Sequence, residues 1–374
     1  MNSYSEILKG FKTPESRWAR LGPYYAMFPL DFAFYVVNKY SNEGDYIIDP
    51  FAGRGSSVYA GGVLGRHSLG IEINPVGWLY GSVKLRPAEE NDVIDLLLDI
   101  YNERNKFKNS IQYMPLFFRM CYCDEVLKFL LSARHNLDWR YDSTDATLMS
   151  ILLVYLHGKI GEGLSNQMKM TKAMGINYSI DWWKKHNLMK PPEINPLEFL
   201  LKRIKWRYEK GKPKIFDSHI VFGDSTIHLK EIVKRALNKN IRFSLLFTSP
   251  PYSSVTDYYA DQWLRLWLLG GSEKPKATQQ KHKGRFVSKE DYSKLLDIVF
   301  SNCSLIMNER STIYVRTDTR EFTYNTTLNI LKKHFPNYEI KILQKPYNKR
   351  TQTHVIGNRS NYNGEIDIIL SSSL

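Results

Sequence analysis

The stretch Tyr46-Ile47-Ile48-Asp49-Pro50-Phe51-Ala52-Gly53-Arg54-Gly55-Ser56-Ser57 decides the fold. Its apolar start reads as a strand, its Pro and Gly residues as a tight turn, and a helix is expected from Ser57 to about Leu64. His67 to Ile73 reads as a second strand, which completes a βαβ unit, the building block of a parallel sheet. Further strands are expected at Ser218–Phe222, Phe243–Phe247, Thr312–Arg316, Glu339–Leu343 and Glu365–Leu370. Helical patterns at Lys230–Leu237, Lys289–Phe300 and Tyr324–His334 separate several of them. Between them, residues 87–215 change character: Asp92–Phe107, Asp124–Arg134 and Ala146–Leu156 read as helices. A structureless loop of that length is implausible in a compact domain. The expected class is α/β, with one sheet built from residues 1–86 and 216–374 and a large, mainly helical insertion at 87–215.

The chain has 374 residues, 43% hydrophobic and 24% charged, which permits a packed core and excludes wholesale disorder. The longest apolar stretch, Ala146 to Leu156, is broken by Thr147 and Ser150 and is too short to span a bilayer. Three cysteines without paired spacing build neither a disulfide framework nor a zinc ribbon, and no metal site is expected. With no apolar leader in MNSYSEILKGFK, a cytoplasmic protein is expected.

Lys and Arg number 52 against 38 Asp and Glu, a net charge of +14, which favours a polyanionic partner. The excess is segregated. Lys169 to Lys214 holds twelve basic and four acidic residues; Lys274–Lys289 holds six basic and Lys341–Arg359 five, both without an acid. Solvated faces show the same runs.

Three strand ends carry chemistry. Gly53-x-Gly55 puts small residues where a ligand approaches the backbone, although an ordinary tight turn would use the same letters. Val58 occupies the third glycine position of the dinucleotide fingerprint, and no Gly-Lys-Ser/Thr follows, which removes the P-loop. Glu72, at the end of the second strand, is placed to accept hydrogen bonds from both hydroxyls of a ribose. Asp224, in Phe222-Gly223-Asp224-Ser225, lies at the next strand end and is equally suited to cap the following helix. Finally, Leu245-Leu246-Phe247 runs into Thr248-Ser249-Pro250-Pro251-Tyr252. Two prolines stiffen this turn and leave the Ser249 and Pro250 carbonyls as acceptors, with Tyr252 as an aromatic face. Such a cluster suits a planar base with an exocyclic amine; the plain alternative is a diproline that only stops a strand.

Taken together, Asp49-Pro50-Phe51-x-Gly53-x-Gly55 and Thr248-Ser249-Pro250-Pro251-Tyr252 resemble the S-adenosylmethionine-dependent DNA amino-methyltransferases, most of all the N(4)-cytosine branch with its Ser-Pro-Pro-Tyr. Tyr24-Tyr25-Ala26-Met27-Phe28-Pro29 is similar to the family motif that closes over the cofactor's methionine end. The resemblance covers roughly 20–85 and 218–370; the insertion, unmatched by motif, stands where some members carry a target-recognition region. It implies a Rossmann-like methyltransferase sheet and S-adenosyl-L-methionine as cofactor. By resemblance Tyr25, Phe28, Pro29, Asp49, Phe51, Gly53, Gly55, Glu72 and Asp224 bind that cofactor, with Glu72 on the ribose and Asp224 at the adenine amine. Ser249, Pro250, Pro251 and Tyr252 would grip the amine of a flipped cytosine.

Methylation at carbon 5 requires a thiolate, and Cys121, Cys123 and Cys303 follow Met120, Tyr122 and Asn302, not proline; Cys303 is expected in the core. Trp263 and Trp267, at i and i+4, are expected to pack in a core. Double-stranded DNA is the expected partner, met by Lys169, Lys184, Lys185, Lys281, Lys283, Arg285, Lys349 and Arg350, with Ser165–Lys169 and Trp182–Lys185 as a base-reading surface. A prokaryotic restriction-modification setting with a cognate endonuclease is implied. N(6)-adenine methylation is the alternative, followed by RNA methylation and by a non-catalytic DNA-binding subunit.

Overall fold

The computed structural model describes residues 4, 6–23, 28–252, 258–274, 288–345 and 364–372. Strands β1 (Tyr46–Asp49), β2 (His67–Glu72), β3 (Ser218–Phe222), β4 (Phe243–Thr248), β5 (Met307–Asp318), β6 (Tyr338–Lys345) and β7 (Glu365–Ser372) form one sheet in the order β3-β2-β1-β4-β5-β7-β6. The first five pair in parallel, and β7 runs antiparallel between β5 and β6. This is an α/β, Rossmann-like sheet.

Strands covered on both faces read as continuous apolar runs, because alternate side chains enter different cores. Ile47, Leu245, Phe247, Tyr314 and Ile369 enter one core; their neighbours Ile48, Leu246, Ile313, Val315 and Ile368 enter the other. Helices α1 (Pro14–Ala19), α2 (Leu30–Tyr40), α3 (Ser56–Val63) and α4 (Pro75–Leu85) belong to the first face. The second face is covered by α11 (Ser225–Asn238), α12 (Lys289–Ser304) and α13 (Glu321–His334).

Between α4 and β3 the chain forms α5 (Glu90–Glu103), α6 (Leu116–Cys121), α7 (Asp124–Asn136), α8 (Ser143–Tyr155), α9 (Ile176–Lys185) and α10 (Pro196–Tyr208). Their apolar residues, among them Leu97, Phe118, Leu127, Leu152 and Ile204, join the same core as Ile47 and Tyr59. The inserted helices thus extend the first face of the sheet. Trp18 meets Tyr208 edge to face at 5.1 Å and ties α1 to α10.

Two differences from the sequence reading have local causes. Strand β5 begins at Met307 because a register shift between Phe243 and Leu245 absorbs the polar Asn308, Glu309 and Arg310. Helix α4, which the sequence reading lacks, is hidden by Gly77 and Gly81; it starts where Asn74 accepts the Val76 N–H (2.9 Å) with Pro75 at its first turn.

Lys84, on α4, is fully buried, and its Nζ has no hydrogen-bond partner. Burial, with the Arg54 guanidinium nearby, lowers its pKa well below 10.5. A lysine whose folded pKa is depressed costs stability below its unfolded pKa, increasingly so as pH falls toward the folded value. Lys84→Met keeps the length and removes the ionisable end. It is expected to stabilise the fold by about 1–3 kcal/mol, the usual cost of a buried polar group left unsatisfied. A thermal melt at neutral pH reads the effect, and a lowered midpoint would contradict it.

Candidate active site

Strand order reverses between β1 and β4, and open α/β sheets take ligands outside the carboxyl ends at such a switch point. β1 ends at Asp49 and turns through Pro50–Gly55. Gly53 (φ +55°) and Gly55 (φ +69°) adopt left-handed backbone. A Cβ on Gly55 would stand 2.4 Å from Ile220 Cδ1, the far end of a β3 side chain, so a larger residue would have to displace that group as well as adopt the left-handed backbone.

Asp49 is 2% exposed and accepts three bonds from the protein itself. Oδ1 takes the Phe51 N–H (3.0 Å) and the Thr248 hydroxyl (2.6 Å), and Oδ2 takes the Ser57 hydroxyl. Burial lifts its pKa to about 6 against those bonds. Asp49 braces the glycine turn to the end of β4, joining motifs 199 residues apart in sequence.

Glu72 sits at the end of β2, where Oε2 accepts the Gly53 N–H and Oε1 the Asn74 N–H, both at 2.7 Å. Burial raises its pKa to about 8, opposed by those backbone bonds and aided by Asp49. An ionised carboxylate offers about four acceptor positions, more than the backbone donors occupy. Asp224 is adjacent through β3: Phe222 pairs with Glu72, and the Gly223 N–H donates to the Glu72 carbonyl (2.9 Å). Asp224 caps α11, its Oδ1 accepting from the Thr226 N–H (2.9 Å) and hydroxyl (2.7 Å). A buried carboxyl with spare lone pairs, a second acid beside it and a side-chain-free turn fit an adenosine group.

Phe51 is half-buried. Phe28 stacks on Phe247 at 4.4 Å and 11°, so its ring packs against β4 inside the core. Pro29 is exposed and precedes α2. Tyr25, Lys281, Lys283, Arg285, Lys349 and Arg350 lie outside the described residues.

Beyond Thr248, Ser249 and Pro251 are half-buried, and Pro250 and Tyr252 are buried. The Tyr252 hydroxyl donates to Glu365 Oε1 at 3.5 Å, and the Ser249 side chain lies near that hydroxyl and favours its ionised form. Behind this pair stands a network the sequence reading missed. Glu365 Oε2 faces Arg316 Nη1 (3.2 Å), and Arg316 grips Asp367 through Nε–Oδ1 (2.6 Å) and Nη2–Oδ2 (2.9 Å). The Tyr314 hydroxyl donates to Asp367 Oδ2 (2.7 Å), and the guanidinium lies 3.6 Å from the Phe32 ring centroid. The available signal was a charge inside each of two apolar strands, Val315-Arg316 and Asp367-Ile368, at positions that pair across the sheet.

Lys169, Lys184 and Lys185 are exposed. The expected base-reading surface around them is corrected, because Ser165, Asn166, Met168 and Trp183 are buried. Asn166 Nδ2 donates to the Met120 (3.0 Å) and Leu188 (2.6 Å) carbonyls, and Trp183 Nε1 to the Gln167 carbonyl (2.8 Å). These polar groups are spent holding the inserted helices together. Trp263, Trp267 and Cys303 are buried, as core residues should be. Among the described residues no cluster of His, Cys, Asp and Glu is built to hold a metal ion, and no helix is long and apolar enough to cross a membrane.

Residues 3–76 match the model of a family described as DNA methylase, N6_N4_Mtase. The type II methyltransferase M.MjaII of Methanocaldococcus jannaschii is 33% identical over 89 residues, 24% of this chain and 17% of that protein. M.MthZI of Methanothermobacter thermautotrophicus, also a type II methyltransferase, is 39% identical over 49 residues, 13% of this chain and 14% of its own. The matched segments therefore span about a sixth and a seventh of those relatives. Among solved structures, an rRNA methyltransferase, aviRa from Streptomyces viridochromogenes, overlays 93% of this chain and 86% of its own with 9% identity and a TM-score of 0.33, too slight a likeness to carry an argument.

Proposed function

We propose that this chain, a member of the DNA amino-methyltransferase family, methylates the exocyclic N(4) amine of a cytosine turned out of duplex DNA. One observation carries the reading: the Thr248–Asp49 bond at 2.6 Å sets the glycine turn and the Ser-Pro-Pro-Tyr corner at neighbouring strand ends, on one edge of the sheet. Bound S-adenosylmethionine supplies a methyl group activated on a sulfonium. Glu72 would hold the ribose hydroxyls, Asp224 the adenine amine, and Gly53 and Gly55 would let the ligand lie against the backbone.

The amine of cytosine is a weak nucleophile because its lone pair is delocalised into the ring. Ser249 Oγ and the Pro250 carbonyl accept its protons, which favours a pyramidal nitrogen and stabilises the charge that develops as it attacks. The rigid diproline fixes those acceptors before the base arrives, so little ordering remains at the moment of reaction. Extruding the base costs a few kcal/mol of stacking, offset by contacts in the pocket that Tyr252 borders. The exposed Lys169, Lys184 and Lys185 serve the phosphate backbone, and the inserted helices 87–215 the choice of target. A type II restriction-modification setting and a cognate endonuclease follow from the same reading.

The test is nucleoside mass spectrometry of duplex DNA incubated with the protein and S-adenosylmethionine. N(4)-methylcytosine is the expected product. N(6)-methyladenine would move the same site chemistry to the other amine, and unmodified DNA would overturn the reading.

A further inference from the structure

The Ser249 hydroxyl is required twice over: its oxygen must accept from the amine, and its own proton must go elsewhere. The structure offers a direction for that proton. Ser249 neighbours the Tyr252 hydroxyl, which in turn donates to Glu365 Oε1 at 3.5 Å. Glu365 opens β7, the antiparallel strand beside β5, and its position there is fixed from below. Arg316 holds its other oxygen at 3.2 Å and is itself clamped by Asp367 and covered by Phe32. Tyr252, in the middle of this path, is 7% exposed, while Ser249 and Glu365 at its two ends are half-buried.

We propose that Ser249, Tyr252 and Glu365 form a proton relay that orients the serine oxygen toward the amine and removes the amine's proton as the methyl group arrives. The inference rests on the reaction proposed above. The amine nitrogen's lone pair forms the new N–C bond, and the C–S bond breaks with its electron pair staying on sulfur. The nitrogen, now positively charged, gives one proton to Ser249 Oγ. Ser249 passes its proton to the Tyr252 oxygen, and Tyr252 passes its own to the Glu365 carboxylate, which releases it to solvent before the next turnover. Each hydroxyl ends with one proton, as it began. A chain of hydrogen bonds ending on a carboxylate makes its first oxygen a better acceptor than an isolated serine. Glu365 acts through Tyr252 and is a positioning residue; Ser249 alone touches the base nitrogen in this step.

Glu365 must be ionised to work. The groups around it are Tyr252, Arg316, Asp367 and Asp318; burial raises its pKa, Arg316 opposes that, and the aspartates add to it. Transfer should therefore fall with decreasing pH along a limb lying above the ordinary carboxylate value.

The deciding variant is Tyr252→Phe, which keeps the ring and deletes only the relay oxygen. Single-turnover transfer to duplex DNA is expected to drop by about 10²-fold, the lower range for loss of a proton-transfer group. The affinities for S-adenosylmethionine (calorimetry) and for DNA (fluorescence anisotropy) should be unchanged. Glu365→Gln should remove the acid limb of the pH–rate profile and lower kcat with KM held. A Tyr252→Phe protein with wild-type rate, or a Glu365→Gln protein that keeps the acid limb, overturns the relay. Should Glu365→Gln fail to fold, Tyr252→Phe decides alone. Wild-type protein inactive on DNA amines would defeat the underlying reaction; an active wild type with indifferent variants defeats only the relay.

Discussion

Replacing Ser249 by alanine is expected to lower the rate of methyl transfer about 10²–10³-fold, the usual loss when one preorganised group aimed at a transition state is removed. The loss is partial because the Pro250 carbonyl remains as an acceptor. It should appear in the chemical step and not in cofactor binding, since Ser249 follows β4 while Glu72 ends β2, two strands away. Fold is not at stake: Ser249 is half-buried, and the brace to β1 runs through Thr248. Single-turnover transfer of labelled methyl, with cofactor affinity measured in parallel, separates the effects. An alanine variant at wild-type rate would mean the amine is gripped elsewhere.

Removing Glu72 should act on the other half of the reaction. Hydrogen bonds to a charged acceptor contribute about 1.5–3 kcal/mol each. Loss of two ribose hydroxyl contacts in Glu72→Ala is therefore expected to weaken cofactor affinity at least about tenfold for the first alone. The raised pKa gives this prediction a pH signature. In the free protein the carboxyl titrates at about 8 and is mostly protonated at neutral pH. Hydroxyl donors favour the ionised form, so binding should release a proton near neutrality and tighten as pH rises toward 8. Calorimetry in two buffers of different ionisation enthalpy detects that proton; the same heat in both would place the ribose elsewhere. Stability runs the opposite way. A carboxyl whose folded pKa lies above its ordinary 4.5 contributes stability that is complete below 4.5 and is lost as pH rises through about 8. The alanine variant should lack that slope.

The strands were legible because each parallel strand is buried on two faces and reads as an apolar run closed by Gly, Pro or an acid. Glu72, Asp224 and Ser249 were legible as strand ends for the same reason. What the letters did not carry was lateral order. Asp49 looks like one more acid at a strand end, and only the pairing of β1 with β4 turns it toward Thr248. Arg316, Glu365 and Asp367 interrupt apolar strands, but their partners depend on β7 entering antiparallel beside β5. Asn166 and Trp183 misled for the converse reason: an amide and an indole suit base recognition and helix packing alike, and burial alone tells them apart.

The contact between Asp49 and Thr248 is made sideways, between neighbouring strands, and owes nothing to what the chain does in the 199 positions that separate them. Any rearrangement that starts the polypeptide elsewhere, or trades the inserted helices for others, leaves the working edge whole as long as those two strands still lie side by side. The order of segments in the gene is thus free to drift while the chemistry stays put.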